Sequence, residues 1–215
     1  ASLTNISGTT TLTGTNGYTG TTTVNGGTLT GRVANAFSAN SATTVNSNGT
    51  LNLGGFAQSI NTLSLAGGTI TNGSLTGAVT STGGTVNGIS GLTSLTNTSG
   101  TTTLTGTNGY SGATTINGGT VLGGNANAFS ANSATSINPT GTLNLGGFAQ
   151  AINAVSLAGG TITNGTLTGA IISTGGTVNG ISGLASLTNI SGTTTLTGTN
   201  GYTGTTTVNG GTVLG

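Results

Sequence analysis

The 215-residue sequence contains no Asp, Glu, Lys, His, Cys, Met or Trp, and Arg32 is its one charged side chain, giving a formal net charge of +1. Each gap excludes a kind of chemistry. General acid–base catalysis draws on His, carboxylates, Lys, Tyr or Cys, and of these only Tyr18, Tyr110 and Tyr202 are present. Serine and threonine abound, but no neighbouring base can activate them as nucleophiles. The expectation is a non-catalytic protein with no catalytic residues and no cofactor. Calcium and magnesium sites want carboxylates, and zinc sites want Cys, His or carboxylate, so no metal site is expected. Nucleic-acid binding rests on Lys and Arg against phosphates, which a charge of +1 does not supply. Without cysteine there is no disulfide and no clue to redox compartment. No apolar run nears the ~18 residues of a membrane helix, so this segment is not expected to insert into a membrane. No basic stretch followed by an apolar core reads as a signal peptide.

What the sequence has instead is glycine and threonine. Glycine alone supplies 44 residues, and the two types make up nearly half the chain. Low charge with much Gly, Ser, Thr and Asn also describes disordered chains. Against that, the mean hydropathy is slightly positive, at +0.19, and Val, Ile and Leu return at regular places.

The regularity is an internal repeat. TTTLTGTNGYTGTTTVNGG starts at Thr9 and again at Thr193, and TTTLTGTNGYSGATTINGG starts at Thr101, a spacing of 92 residues. Residues 9–100 and 101–192 differ at 19 of 92 positions. Most differences are mild, such as Val24 against Ile116. The largest local change sets Arg32-Val33 against Gly124-Asn125. Residues 193–215 open a third block, and residues 1–8 match the end of a preceding one.

Each block divides at Gly-Thr junctions into pieces 9–27, 28–49, 50–68, 69–84 and 85–100, of 19, 22, 19, 16 and 16 residues. The pieces open with Thr9, Thr28, Thr50, Thr69, Thr85, Thr101, Thr120, Thr142, Thr161, Thr177, Thr193 and Thr212. An aliphatic residue usually follows, then Thr or Asn; Leu122 and Leu214 break that third column. Alternation with period two is a strand signature. Thr, Val and Ile favour strands, and Asn-Gly, Gly-Gly and Ser-Gly mark turns. Helix is excluded, because each interior glycine costs about 1 kcal/mol relative to alanine.

Pieces of this length, each starting with the same residue, predict an all-β fold: a right-handed parallel β-helix, or β-solenoid. It should have about eleven rungs, five per 92-residue block, and run as a single continuous domain over residues 1–215. The twelve opening threonines should form one structural ladder along its side. Aliphatic columns should face inward as a thin core, and turn glycines should supply positive φ at corners. Phe37 and Phe56, in consecutive rungs, are placed to meet, as are Phe129 and Phe148. The three tyrosines lie five rungs apart and cannot touch. They are read either as corner packing or as surface-contact aromatics for sugar stacking. Neither end carries a capping repeat, which predicts a window on a longer solenoid or end-to-end stacking.

The stretch LTGTNGYSGATTINGGTVLG, from Leu104 to Gly123, resembles the passenger-associated repeat of bacterial autotransporters, and Leu12–Leu29 and Leu196–Leu214 resemble it too. The resemblance implies a right-handed β-helical passenger on, or released from, a bacterial outer surface, often an adhesin or stalk. The family's translocator barrel is not in this sequence.

Glycine-rich runs such as GGTVNG lack the following helix and lysine that a phosphate loop needs, and are read as turns. Asn-x-Ser/Thr sequons at Asn5, Asn48, Asn72, Asn97, Asn164 and Asn189 are read as a by-product of composition. Without net charge there is no long-range repulsion between copies, which favours bundling. The leading expectation is an extracellular structural protein: a repeat segment of a bacterial surface fibre or stalk that self-associates end to end and laterally. One alternative is an adhesive passenger that binds host or glycan surfaces. A further alternative is ice binding through Thr-x-Thr columns, since residues two apart on a strand and residues on adjacent rungs make a flat grid.

Overall fold

The computed structural model describes residues 1–215 and contains strands and turns but no helix. Glycine at nearly every corner and threonine along every strand leave the chain this choice, because β-branched residues pack well on a pleated surface. All pairings belong to one sheet, and all are parallel. The chain is a β-solenoid of about 11 turns with ~19 residues per turn. The runs Ala57–Gly91 and Ala149–Gly183, 35 residues each, keep ladder hydrogen bonds through several corners.

The paired residues fall into three stacks. In the first, Leu3 pairs with Thr22, Thr22 with Thr43 and Thr43 with Leu63. The same file continues from Val79 to Leu95, Thr114, Thr135 and Val155, and from Ile171 to Leu187 and Thr206. Two residues further along each strand, a second inward file includes Val24, Val45, Leu65, Ile116, Ile137 and Leu157, all fully buried. With the aliphatic residues of the second stack these files make one core cluster of 34 residues along the rod. A solenoid core is only one coil wide. It therefore grows in length, not in width, as coils are added.

The second stack holds the opening threonines, and here the structure departs from the expected single file. Thr9, Thr28, Thr50 and Thr69 do line up. So do Thr101, Thr120, Thr142 and Thr161, and Thr193 with Thr212. At each block junction, however, the file slips by two residues: Thr85 stands opposite Thr103, not Thr101, and Thr177 opposite Thr195, not Thr193. The hydrophobic pattern sets the register. The slip places Leu104 beside Val86 and Leu196 beside Val178; in the expected register the polar Thr102 and Thr194 would occupy those places. A shift of two leaves every side chain on its own face, because strand side chains alternate with period two.

The third stack is shorter, with Ser90 and Gly91 beside Gly109 and Tyr110, and Ser182 and Gly183 beside Gly201 and Tyr202. In the longest coil of each block the chain leaves the ladder for a loop, residues 32–41 and 124–133, that turns Ala36, Phe37 and Ser38, or Ala128, Phe129 and Ser130, into the core. The phenylalanines of each pair differ in burial. Phe37 and Phe129 are buried, whereas Phe56 and Phe148 are 41 % and 42 % exposed at a corner. That corner depends on glycine: Gly54 and Gly146 have φ of 73° and 75°, and a Cβ at either would collide with the backbone oxygen of Gly31 or Gly123 in the coil next to it.

Candidate functional site

Four features of the stack concentrate hydrogen-bonding or apolar groups. The first is the tyrosine corner of each block. Tyr18, Tyr110 and Tyr202 hydrogen-bond through their hydroxyls to Thr22, Thr114 and Thr206 at 2.7, 2.8 and 2.9 Å. Thr22 and Thr114 are also bonded to Ser41 and Ser133. Tyr110 is 1 % exposed, and burial pushes its pKa up to about 12. It belongs to the core and offers no surface for a sugar. Tyr18 and Tyr202 are half-buried. The pocket-like fit of phenol, threonine and serine ties one coil to the next.

The second feature lies inside the rod at each block junction. Thr102 Oγ1 donates to Asn97 Oδ1 at 2.5 Å and shares a hydrogen bond with Ser81 Oγ at 2.6 Å. Asn97 Nδ2 donates to the Gly118 carbonyl at 2.6 Å. The same set recurs as Ser173, Asn189 and Thr194, and as Thr10 with Asn5. Asn97, Thr102 and Ser81 are all buried, and no buried side-chain polar atom in the protein lacks a partner. A closed set of this kind is tolerated in a core because none of its groups forfeits a hydrogen bond. Burial also removes Asn5, Asn97 and Asn189 from consideration as glycan acceptors.

The third feature is a file of outward hydroxyls on the first stack: Thr4, Thr23, Thr44 and Ser64, then Thr80, Thr96, Thr115, Ser136 and Ser156, then Thr188 and Thr207. Ile172 interrupts it. On the second stack the opening threonines are mostly half-buried. Their outer neighbours alternate among Thr71, Asn52, Asn144 and Leu122. Between coils, asparagine side chains bond in pairs, Asn46 to Asn25 and Asn138 to Asn117, both at 2.6 Å.

The fourth feature is a surface pocket of about 370 Å³ beside the second wide loop. It is lined by Thr107, Asn108, Gly109, Asn127, Phe129, Ala131, Asn132 and Ala151. The loop above it is held from within by Gln150, whose Oε1 accepts from the Ala128 N–H at 2.9 Å while Nε2 donates to the Asn125 and Leu145 carbonyls. Gln58 does the same for the first loop, reaching Phe37 N, Val33 O and Leu53 O.

Neither the glutamine clamps nor the junction clusters stood out in the sequence. The available signals were that Gln58 and Gln150 are the chain's two glutamines, 92 residues apart, and that Asn and Ser interrupt an otherwise aliphatic column.

Taken together, the stacked parallel coils and their polar junctions define a repeat-built β-solenoid. The passenger-associated-transport-repeat matches the chain three times, at residues 7–30, 99–122 and 191–214. Each match covers the junction corner, the tyrosine corner and the next opening threonine. The three repeats are consistent with an autotransporter passenger. No curated protein and no solved structure matches the chain significantly.

Proposed function

We propose that this chain is a non-catalytic length of a secreted bacterial rod, a stalk or surface fibre that holds or spaces other elements outside the cell. The supporting observation is the recurrence of coil-to-coil register. Leu3 on Thr22, Leu95 on Thr114 and Leu187 on Thr206 are the same contact one block apart. A block can thus be added without altering its neighbours, and each would lengthen the rod by roughly 24 Å at the usual strand spacing. Nearly absent charge leaves no long-range repulsion between rods, which suits end-to-end and lateral association. The three passenger-associated repeats support placement on, or release from, the outer surface.

Electron microscopy of native material tests the reading. Long unbranched filaments, with protofilaments about 2–3 nm across, the width of one coil of short strands, are the expected result. Monodisperse short rods would remove the fibre.

A second reading is an adhesive passenger. Leu92 and Leu184 are 72 % and 71 % exposed at equivalent places in two blocks, as are Phe56 and Phe148. Large apolar side chains repeated on a surface suit contact with a partner. No binding to host surfaces, or binding unchanged when Phe56, Phe148, Leu92 and Leu184 are replaced together, would count against it.

A further inference from the structure

We propose that the pocket beside the second wide loop is a binding subsite for a neutral saccharide. Its volume, about 370 Å³, lies at the low end of the range for small-molecule sites and suits a short saccharide. Phe129, Ala131 and Ala151 give it apolar walls, and Thr107, Asn127 and Asn132 bring a hydroxyl and two amides to its rim. An amide donates and accepts at once, as each sugar hydroxyl does. No charged side chain faces it. Arg32, the chain's one charged side chain, belongs to the other wide loop, and Gly124 takes its place here. A charged ligand would lose hydration without gaining an ionic partner, so an uncharged polyol ring is the better match.

The two wide loops are not equivalent in this respect. In the first, Asn35 Oδ1 accepts from the Ser59 backbone N–H at 3.2 Å, which ties its amide to the wall. In the second, Asn127 has the same φ of 52° as Asn35 but makes no corresponding bond to the backbone N–H of Ala151, which stands where the first loop has Ser59. The floor is also better built. Asn108 is buried, accepts from the Ile89 N–H at 3.0 Å and donates to the Ala128 carbonyl at 2.7 Å. The amides at the rim are therefore free while the pocket beneath them is rigid, and rigidity lowers the cost of binding. The inference does not rest on the fibre reading, since a rod of any length would carry the site.

The test is amide-resolved NMR titration of the ¹⁵N-labelled chain with glucose, galactose, mannose and N-acetylglucosamine, and with sialic acid as the charged comparison. At least one neutral sugar should shift residues 107–109, 127–132 and 151, with sialic acid inert. The matching residues 15–17, 35–40 and 59 should stay still. Asn132→Ala should weaken binding about fivefold, the loss of one hydrogen bond, and Ala151→Leu should fill the pocket and abolish it. Asn132 is exposed and Ala151 half-buried, and an unchanged spectrum elsewhere shows that each variant is folded. Silence toward all four neutral sugars, equal shifts at both loops, or undiminished binding by Ala151→Leu would overturn the proposal.

Discussion

Two kinds of coil contact hold this rod together, and they use opposite chemistry. Within a block most inward contacts are aliphatic, as where Val121 lies beside Leu143 and Leu143 beside Ile162, with the buried pairs Thr22–Thr43 and Thr114–Thr135 as the exceptions on the first stack. At the block junction inward positions of both stacks hold Ser81, Asn97 and Thr102, joined by hydrogen bonds. Aliphatic files are indifferent to which neighbour they meet, because apolar burial is non-directional. The polar junction is directional. It binds one set of partners at one register, and it lies where the threonine file slips by two residues. Stability comes mainly from the first kind of contact; at the junction the slipped register satisfies both at once, setting Leu104 on Val86 and bringing Thr102 to Ser81 and Asn97.

That division orders the expected effects of substitution. Leu143→Ala removes a fully buried side chain from a file and should cost about 2–5 kcal/mol, read as a lowered denaturant midpoint. Asn97→Ala leaves the Gly118 carbonyl without its side-chain donor and the Thr102 hydroxyl with Ser81 alone, and should cost about 1–3 kcal/mol. Converting the junction to apolar residues together, with Ser81→Ala, Asn97→Leu and Thr102→Val, should cost less than the three single changes summed, since no side-chain hydroxyl or amide is then left behind and only the Gly118 carbonyl and the Gly83 N–H lose a partner. A triple variant that costs the full sum would show that the junction contributes net stability and would blur the distinction.

Stability should respond to pH only at the alkaline end. The folded pKa of Tyr110, about 12, lies above the ordinary value near 10. Above about pH 10 the unfolded chain holds fewer protons than the folded one, so stability falls as pH rises through that window. With no acidic side chain and no histidine, a thermal melt should be nearly flat from mildly acidic to neutral pH. Tyr110→Phe should remove most of the alkaline loss. The smallest effect belongs to the outward hydroxyl file, where Thr115→Ala should change stability by no more than about 0.5 kcal/mol.

Much of this architecture was legible in the residues. Threonine after glycine at regular intervals, followed by an aliphatic residue, announced parallel coils, because like residues recur where strands stack in register. The slip was not legible, because Gly100-Thr101 looks the same as Gly27-Thr28. Only the placement of Leu104 against Val86 distinguishes them, and that requires knowing how far the corner at 98–100 reaches. Burial of Tyr110 was hidden for a related reason. A tyrosine flanked by Gly109 and Ser111 reads as a turn residue until the preceding coil is laid beside it. The pocket lies beside a loop whose residues 126–133 repeat 34–41 unchanged, and no pattern in them marks one copy as a site.

The register at the junction can be measured without background, since the chain has no cysteine. Parallel neighbours lie about 4.8 Å apart, within reach of a disulfide. A residue displaced by two along the strand lies about 8 Å away, beyond it. The double variant Thr85→Cys with Thr103→Cys should oxidise to an intramolecular disulfide, and Thr85→Cys with Thr101→Cys should remain reduced. The reverse outcome would restore the unbroken threonine file and contradict the slipped register on which the junction contacts depend.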